Sequence, residues 1–125
     1  MKTVVCLLAV AALAASCGDG GAKLASRDKT RACLIRHHVR LGGVLDFVAT
    51  TATGGAFKTH FADNDATVVF GATVADADNI NQAYHRFHSE NVGIDDVLRQ
   101  QGNVVMLWHQ HPSDVDLNRI TSCLE

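Results

Sequence analysis

Hydrophobic residues recur at helical spacing in three segments, which are residues 27–40, 73–90 and 113–125. A side chain suited to capping stands at the start of each segment, namely Ser26, Thr73 and Ser113. In the second and third segments an aspartate follows three residues later and completes a capping box. We therefore predict three amphipathic helices at these positions.

Other segments favour strands. AFKTHF (56–61) alternates between apolar and polar residues, and TVVFG (67–71) follows after the turn-forming ADNDA, so the two predict a hairpin. NVVMLWH (103–109) is apolar on both faces, which is typical of a central strand. GVLDFVATTATGG (43–55) is rich in β-branched residues between glycines and also predicts a strand.

The residues from 92 to 102, VGIDDVLRQQG, are ambiguous between a helical turn and a short strand. The predicted order is a helix, two or three antiparallel strands, a helix, a strand and a helix. This order favours an α+β fold with a small antiparallel sheet and helices packed on one face, with a ferredoxin-like arrangement as one candidate. A length of 125 residues with 47% hydrophobic residues suits one domain, and a net charge of −2 provides no basic surface for nucleic acid.

The first sixteen residues differ from the rest of the chain. Lys2 is followed by an unbroken apolar run from Val4 to Ala15. As a helix that run would extend about 18 Å, too short to cross roughly 30 Å of hydrocarbon but typical of a secretory signal. Residues 1–16 are therefore predicted to be a signal peptide, with a buried N-terminal helix as the alternative.

The signal ends in Leu13-Ala14-Ala15-Ser16-Cys17, which resembles the lipobox of bacterial lipoproteins. Leucine usually stands three residues before the lipidated cysteine, whereas Ala14 stands there in this chain. The resemblance implies lipid (palmitate) on Cys17 and a location at the extracytoplasmic face of the cell membrane. Residues 17–27 would form a flexible tether and residues 28–125 the domain. The alternative is cleavage near Ser16 and secretion.

Counting cysteines supports the same interpretation. Of the four, Cys6 leaves with the signal. Three cysteines in an oxidising compartment leave one thiol over. If Cys17 carries lipid, Cys33 and Cys123 remain as a pair. They would form a disulfide between the first and last helices, and without a Cys-x-x-Cys pattern its role is predicted to be structural.

Three further segments resemble parts of a known group of proteins. They are RACLIRHHVRLGG, ENVGIDDVLRQQGNVVMLWHQHPSD and the final SCLE. Together with the lipobox they resemble small uncharacterised lipoproteins of high-GC Gram-positive bacteria, over most of the mature chain. The resemblance implies membrane anchoring and the Cys33–Cys123 pair. It implies no activity and no catalytic residues.

Histidines are the candidates for metal binding. His109 and His111 lie two apart on a predicted strand, so both rings would point the same way, and His85 and His88 share a helix face. Imidazoles suit zinc or copper. The alternative is that these four rings are solvated, capping or packing groups.

The HQHP segment also resembles the His-x-His-Pro element of JAMM-type zinc hydrolases. That family places an aspartate about ten residues after the second histidine, whereas Asp114 and Asp116 follow His111 after only three and five residues. Asp116 is better explained as the capping partner of Ser113, and Glu90 is the sole upstream glutamate between the signal and the final residue. A zinc hydrolase is therefore a remote alternative.

Further candidates have structural explanations. Asp63, Asp65, Asp76 and Asp78 could attract calcium but also suit turns and helix starts. Three aromatic residues are predicted to lie in the core, namely Phe47, Phe70 and Trp108. We interpret the chain as a membrane-anchored binding or structural module with no predicted cofactor, an unknown partner and no enzymatic signature. A zinc- or copper-binding module is the alternative.

Overall fold

The computed structural model describes residues 23–87 and 93–124. Its helices are α1 (Arg27–Arg36), α2 (Phe47–Thr50), α3 (Val74–Phe87), α4 (Ile94–Val97) and α5 (Asp114–Thr121). Its strands are β1 (Arg40–Leu41), β2 (Ala56–His60), β3 (Asp65–Phe70), β4 (Leu98–Gln101) and β5 (Val104–Trp108). The predicted signal, Cys17, His88 and Glu90 lie outside the described residues.

The five strands form one antiparallel sheet in the order β1-β2-β3-β5-β4. The predicted hairpin is confirmed as β2 and β3, and the predicted central strand lies between β3 and β4. The α+β class with a small antiparallel sheet is therefore confirmed. β1 and β2 are linked through α2 and are direct neighbours, whereas a ferredoxin-like fold separates such strands. The arrangement is thus not ferredoxin-like.

The sheet is buried on both faces. Register places Phe57, Val68 and Met106 on one face, which we call the disulfide face. The opposite face, which we call the pocket face, includes Val69 and Val105, and all five side chains are buried. Because β3 and β5 are apolar on both sides, one layer of helices cannot cover the sheet.

Helices accordingly pack on both faces rather than on the single face predicted. On the disulfide face, α1 and α5 are joined by the bond between Cys33 and Cys123. On the pocket face, Asn81 of α3 donates to Gln100 of β4 at 3.0 Å, and Gln100 lies opposite Val105 in the register. The short helices α2 and α4 lie beside α3.

The strand predicted over residues 43–55 is wrong. The segment contains α2, whose N-cap Asp46 accepts a hydrogen bond from the Ala49 N–H at 2.9 Å. Gly54 then approaches β3 so closely that a Cβ there would lie 2.7 Å from the Phe70 carbonyl oxygen. A capping carboxylate and a glycine-dependent contact outweigh the β propensity of the valine and threonines.

The predicted helix starts are confirmed by their caps. Ser26 accepts from Lys29 N–H at 3.4 Å, and Ser113 accepts from Asp116 N–H at 3.1 Å. The first helix ends at Arg36 rather than residue 40, because His38 adopts a φ of 64° and turns the chain towards β1. The ambiguous segment contains both alternatives, the turn α4 followed by the strand β4.

The predicted disulfide is confirmed, with 5.6 Å between the Cα atoms of Cys33 and Cys123. It joins residues 90 positions apart, and on a chain-entropy model such a closure contributes about 4–5 kcal/mol. Residues 23–124 contain the complete five-stranded sheet, a core buried on both faces and this bond. They therefore meet the requirements of a unit that folds by itself.

Among the residues described, none of the helices combines the length and apolar character needed to cross a bilayer. The folded part begins before the predicted domain boundary. The backbone N–H of Ala25 donates to the Asn103 side chain at 2.8 Å, and that side chain donates back to the Ala25 carbonyl at 3.0 Å. The first residues of the domain are thereby fixed at the turn between β4 and β5.

Candidate functional site

A cavity of about 620 Å³ lies on the pocket face, between the sheet and the helices α2, α3 and α4. Its floor consists of Lys58, Thr67 and Leu107, which are side-by-side partners on β2, β3 and β5. The volume falls within the range of about 300–1,000 Å³ that is typical of small-molecule sites. The cavity is therefore the candidate functional site.

The walls are mainly apolar and come from three helices. They are lined by Phe47 and Val48 of α2, Tyr84 and Phe87 of α3, and Ile94 and Val97 of α4. The pairs in α3 and α4 are three residues apart, so each pair presents both side chains on one helix face. Helical periodicity thus directs these side chains into the cavity.

Two phenylalanines at the cavity are largely exposed. Phe47 is 73% and Phe87 67% exposed, and their rings meet edge to face with centroids 6.2 Å apart. The prediction that Phe47 belongs to the core is therefore wrong, whereas Phe70 and Trp108 are buried as expected. Because α2 is a short exposed helix and not a strand, Phe47 lies at the cavity entrance.

Tyr84 connects two walls of the cavity. Its hydroxyl donates to the Asp46 carboxylate, with O–O distances of 2.9 and 3.0 Å. Burial first, and then the negative charge and hydrogen bonding of Asp46, raise the pKa of Tyr84 well above its ordinary range. The hydroxyl therefore keeps its proton and continues to link α3 to the start of α2.

Asp65 and His109 lie at the edge of the cavity, opposite each other on β3 and just beyond β5. The His109 backbone N–H donates to the Asp65 carbonyl at 2.8 Å. The Asp65 carboxylate is 2.9 Å from Nδ1 of His60. Of the three predicted histidines that the structure describes, His85, His109 and His111, it is His109 that lines this site.

The two other predicted histidines within the described ranges contact separate partners. Nδ1 of His111 lies 2.7 Å from the Asp96 carboxylate, and Nε2 of His85 lies 3.0 Å from Asp95. The Asn81 carbonyl, followed by Asp95, raises the pKa of His85 above its ordinary value. Within residues 23–87 and 93–124, no cluster of three possible metal ligands includes His85, His109 or His111.

A different trio does lie close together. Ligand atoms of Cys33, His37 and Cys123 are within 4.8 Å of one another. Both sulfurs belong to the disulfide, and a cysteine binds metal as its thiolate. This trio therefore cannot coordinate an ion while the disulfide is intact.

Three of the four aspartates considered for calcium, Asp65, Asp76 and Asp78, have side-chain partners in the structure. Asp76 accepts from the Thr53 hydroxyl at 2.9 Å, and Asp78 accepts from the Gln100 amide at 2.8 Å. Asp65 pairs with His60, as described above. In the part of the chain that the structure describes, these aspartates form no group with three candidate metal ligands.

The HQHP segment is a joint between β5 and α5. The buried Asn64 accepts from the Gln110 N–H at 3.1 Å and donates to the Gln110 carbonyl at 2.9 Å. Pro112 is buried, and Ser113 caps the following helix. Asn64 was missed in the sequence because its partner lies 46 residues away.

The cavity residues Asp46, Lys58, Thr67 and Tyr84 were also missed. Only Asp46 carried a local signal, because an aspartate before a short apolar segment is a capping pattern. Lys58 alternates with buried residues in β2, which sequence analysis assigns to a solvent-facing position. Compared with known protein families, with curated proteins and with solved structures, the chain matches none.

Proposed function

We propose that this chain is a small-molecule binding module, held at the extracytoplasmic face of the membrane by a lipid on Cys17. The observation that carries the binding proposal is the cavity of about 620 Å³, with mainly apolar walls and a few polar groups on its floor and edge. Such a lining is typical of sites that enclose an apolar body and orient it through a small number of hydrogen bonds.

Two features of the pocket face favour binding over a purely structural role. A cavity in an otherwise close-packed protein costs stability, because its lining lacks contacts on one side. The Phe47–Phe87 pair leaves two aromatic rings in water beside that cavity. An apolar ligand would fill the cavity and cover the two exposed rings, so binding would offset both costs.

The entry point of the chain supports an orientation on the membrane. Ala25 is fixed at Asn103, beyond the end of β5 opposite to His109. The eight or so residues between Cys17 and Ala25 would span about 15 Å as a flexible coil. A lipid at Cys17 would thus hold the Asn103 end near the bilayer and leave the His109 edge facing away from it.

Binding is tested on residues 23–125 with Nile red, a neutral dye that fluoresces in apolar sites. We expect saturable binding that Leu107→Trp abolishes, because the indole would occupy the cavity. Val115→Trp is the matched control, since Val115 is 69% exposed on α5 of the other face. Thermal unfolding shows whether each variant folds. If Leu107→Trp does not fold, Phe87→Ala provides a second test.

Equal dye binding by the wild type, Leu107→Trp and Phe87→Ala would overturn the binding proposal. The anchor is tested separately in cells that produce the full chain. Cys17→Ala should move the protein from the membrane fraction to the soluble or secreted fraction. Retention of the variant in the membrane would refute lipid attachment at Cys17.

A further inference from the structure

Two carboxylates of the cavity lining have partners, whereas three other polar side chains of the lining form no hydrogen bond or ion pair with the residues that the structure describes. Asp46 accepts from the Tyr84 hydroxyl and from the Ala49 N–H. The Asp65 carboxylate pairs with His60 at 2.9 Å. Both carboxylates of the lining are therefore engaged by groups of the protein itself.

The donors differ. Within the two described ranges, the side chains of Lys58, Thr67 and His109 form none of the hydrogen bonds or ion pairs found in the structure. Lys58 is half-buried on the floor, beside Thr67 and with Leu107 one strand further on. Withdrawing an ammonium from water is costly unless an anion compensates it. The floor thus presents the Lys58 ammonium and the Thr67 hydroxyl, and both can donate hydrogen bonds to a ligand.

Apolar side chains surround this polar floor on the helix side. They are Phe47, Val48, Phe87, Ile94 and Val97. A ligand complementary to the whole cavity needs an acceptor at one end and an apolar body for the rest. A carboxylate meets Lys58 through a charge-assisted hydrogen bond and leaves its second oxygen for Thr67.

Resting on the proposed small-molecule function, we propose that the ligand is an anionic amphiphile, specifically an aliphatic or aromatic carboxylate. Its head group binds Lys58 and Thr67, and its apolar body lies between α2, α3 and α4. His109, at the edge, is positioned to donate to a head group near the opening. Asp46 and Asp65 contact other groups, and within the described residues neither forms an ion pair with Lys58, so the ammonium of Lys58 is available to the ligand.

The test uses three compounds with the same ten-carbon chain, namely decanoate, decanol and decylamine. Each displaces Nile red from residues 23–125, below its micelle concentration, and the displacement gives its affinity. We expect decanoate to bind most tightly and decylamine most weakly. Lys58→Met should weaken decanoate about tenfold and leave decanol unchanged, because one charge-assisted hydrogen bond is lost. Lys29→Met on α1 is the control, an exposed lysine on the disulfide face.

The outcomes separate this inference from the proposed function. If decanol binds as tightly as decanoate and Lys58→Met changes neither, the cavity binds apolar molecules but the anionic head group is refuted. Preferential binding of decylamine would refute it as well and would assign the head-group site to Asp46 or Asp65. If the dye binds but none of the three compounds displaces it, this inference alone is refuted. If the dye itself does not bind, the proposed function fails together with this inference.

Discussion

The two faces of the sheet are built differently. On the disulfide face, Cys33 of α1 is covalently joined to Cys123 just after α5, and Leu34 and Ile120 are completely buried. Phe61 stacks on Trp108 there, with centroids 5.6 Å apart. On the pocket face, two of the three helices have four residues each, and they enclose a cavity with exposed aromatic rings.

This difference indicates a division of roles within one small domain. Close packing and a covalent bond stabilise the disulfide face. Short helices bury little apolar surface and depend on their neighbours, so the pocket face contributes less to stability. A domain of about one hundred residues has a net stability of about 5–15 kcal/mol. A well-packed disulfide face can supply most of it, so the pocket face can remain open.

Removal of the disulfide is expected to have the largest effect on the comparison between the two faces. The double variant Cys33→Ala with Cys123→Ala should lose about 4–5 kcal/mol of unfolding free energy, because the unfolded chain regains the entropy of a ninety-residue loop. Urea unfolding measures the loss, with wild-type protein reduced by a phosphine as the matched control. A change below about 1 kcal/mol would show that the disulfide face does not depend on its covalent bond.

The second test compares the same substitution on the two faces. Ile120→Ala, in the fully buried interior of the disulfide face, should cost about 3–4 kcal/mol through lost burial and a new cavity. Ile94→Ala should cost about 1–2 kcal/mol, since its side chain already borders an open cavity and little new void is created. Equal losses in urea unfolding would contradict the proposed division between the faces.

The smallest effect is expected from the Tyr84–Asp46 link. Tyr84→Phe should cost about 1–2 kcal/mol at neutral pH, because the Asp46 carboxylate loses one of its donors. The pKa of Tyr84 is raised on folding, so its contribution is complete below the unfolded pKa of about 10. That contribution is lost as pH rises towards the folded value, since the unfolded tyrosine ionises first.

Absorbance can follow this titration directly because Tyr84 is the only tyrosine in the chain. We expect its ionisation in the folded protein to occur well above pH 10. Asp46→Asn should lower the pKa of Tyr84 partway, since burial is the largest cause of the shift and remains. An ordinary tyrosine titration in the folded wild type would show that the two walls are not linked in this way.

The parts of the fold that were predicted correctly depend on local patterns. Ser26, Thr73 and Ser113 cap the helices that follow them, and the hairpin turn lies at ADNDA as expected. Each of these features is determined by residues within a few positions of one another. The Cys33–Cys123 bond was predictable for another reason, since removing Cys6 with the predicted signal and Cys17 by the predicted lipid would leave only these two cysteines.

The pocket was not predictable because it depends on distant partners. Lys58 was indistinguishable in sequence from a solvated strand residue, since nothing local indicates that helices cover that face. Tyr84 and Asp46 are 38 residues apart, so the local sequence does not indicate their contact. The helical stripe containing Tyr84 and Phe87 indicated a buried face but not that the face borders a cavity.

The disulfide also has a consequence for resistance to proteolysis. Every described strand lies between Cys33 and Cys123 in the sequence. A protease that cuts any single peptide bond between these two cysteines therefore leaves both fragments attached through sulfur. A nicked molecule can re-form its native contacts as a unimolecular process, and only reduction or a second cut releases a piece.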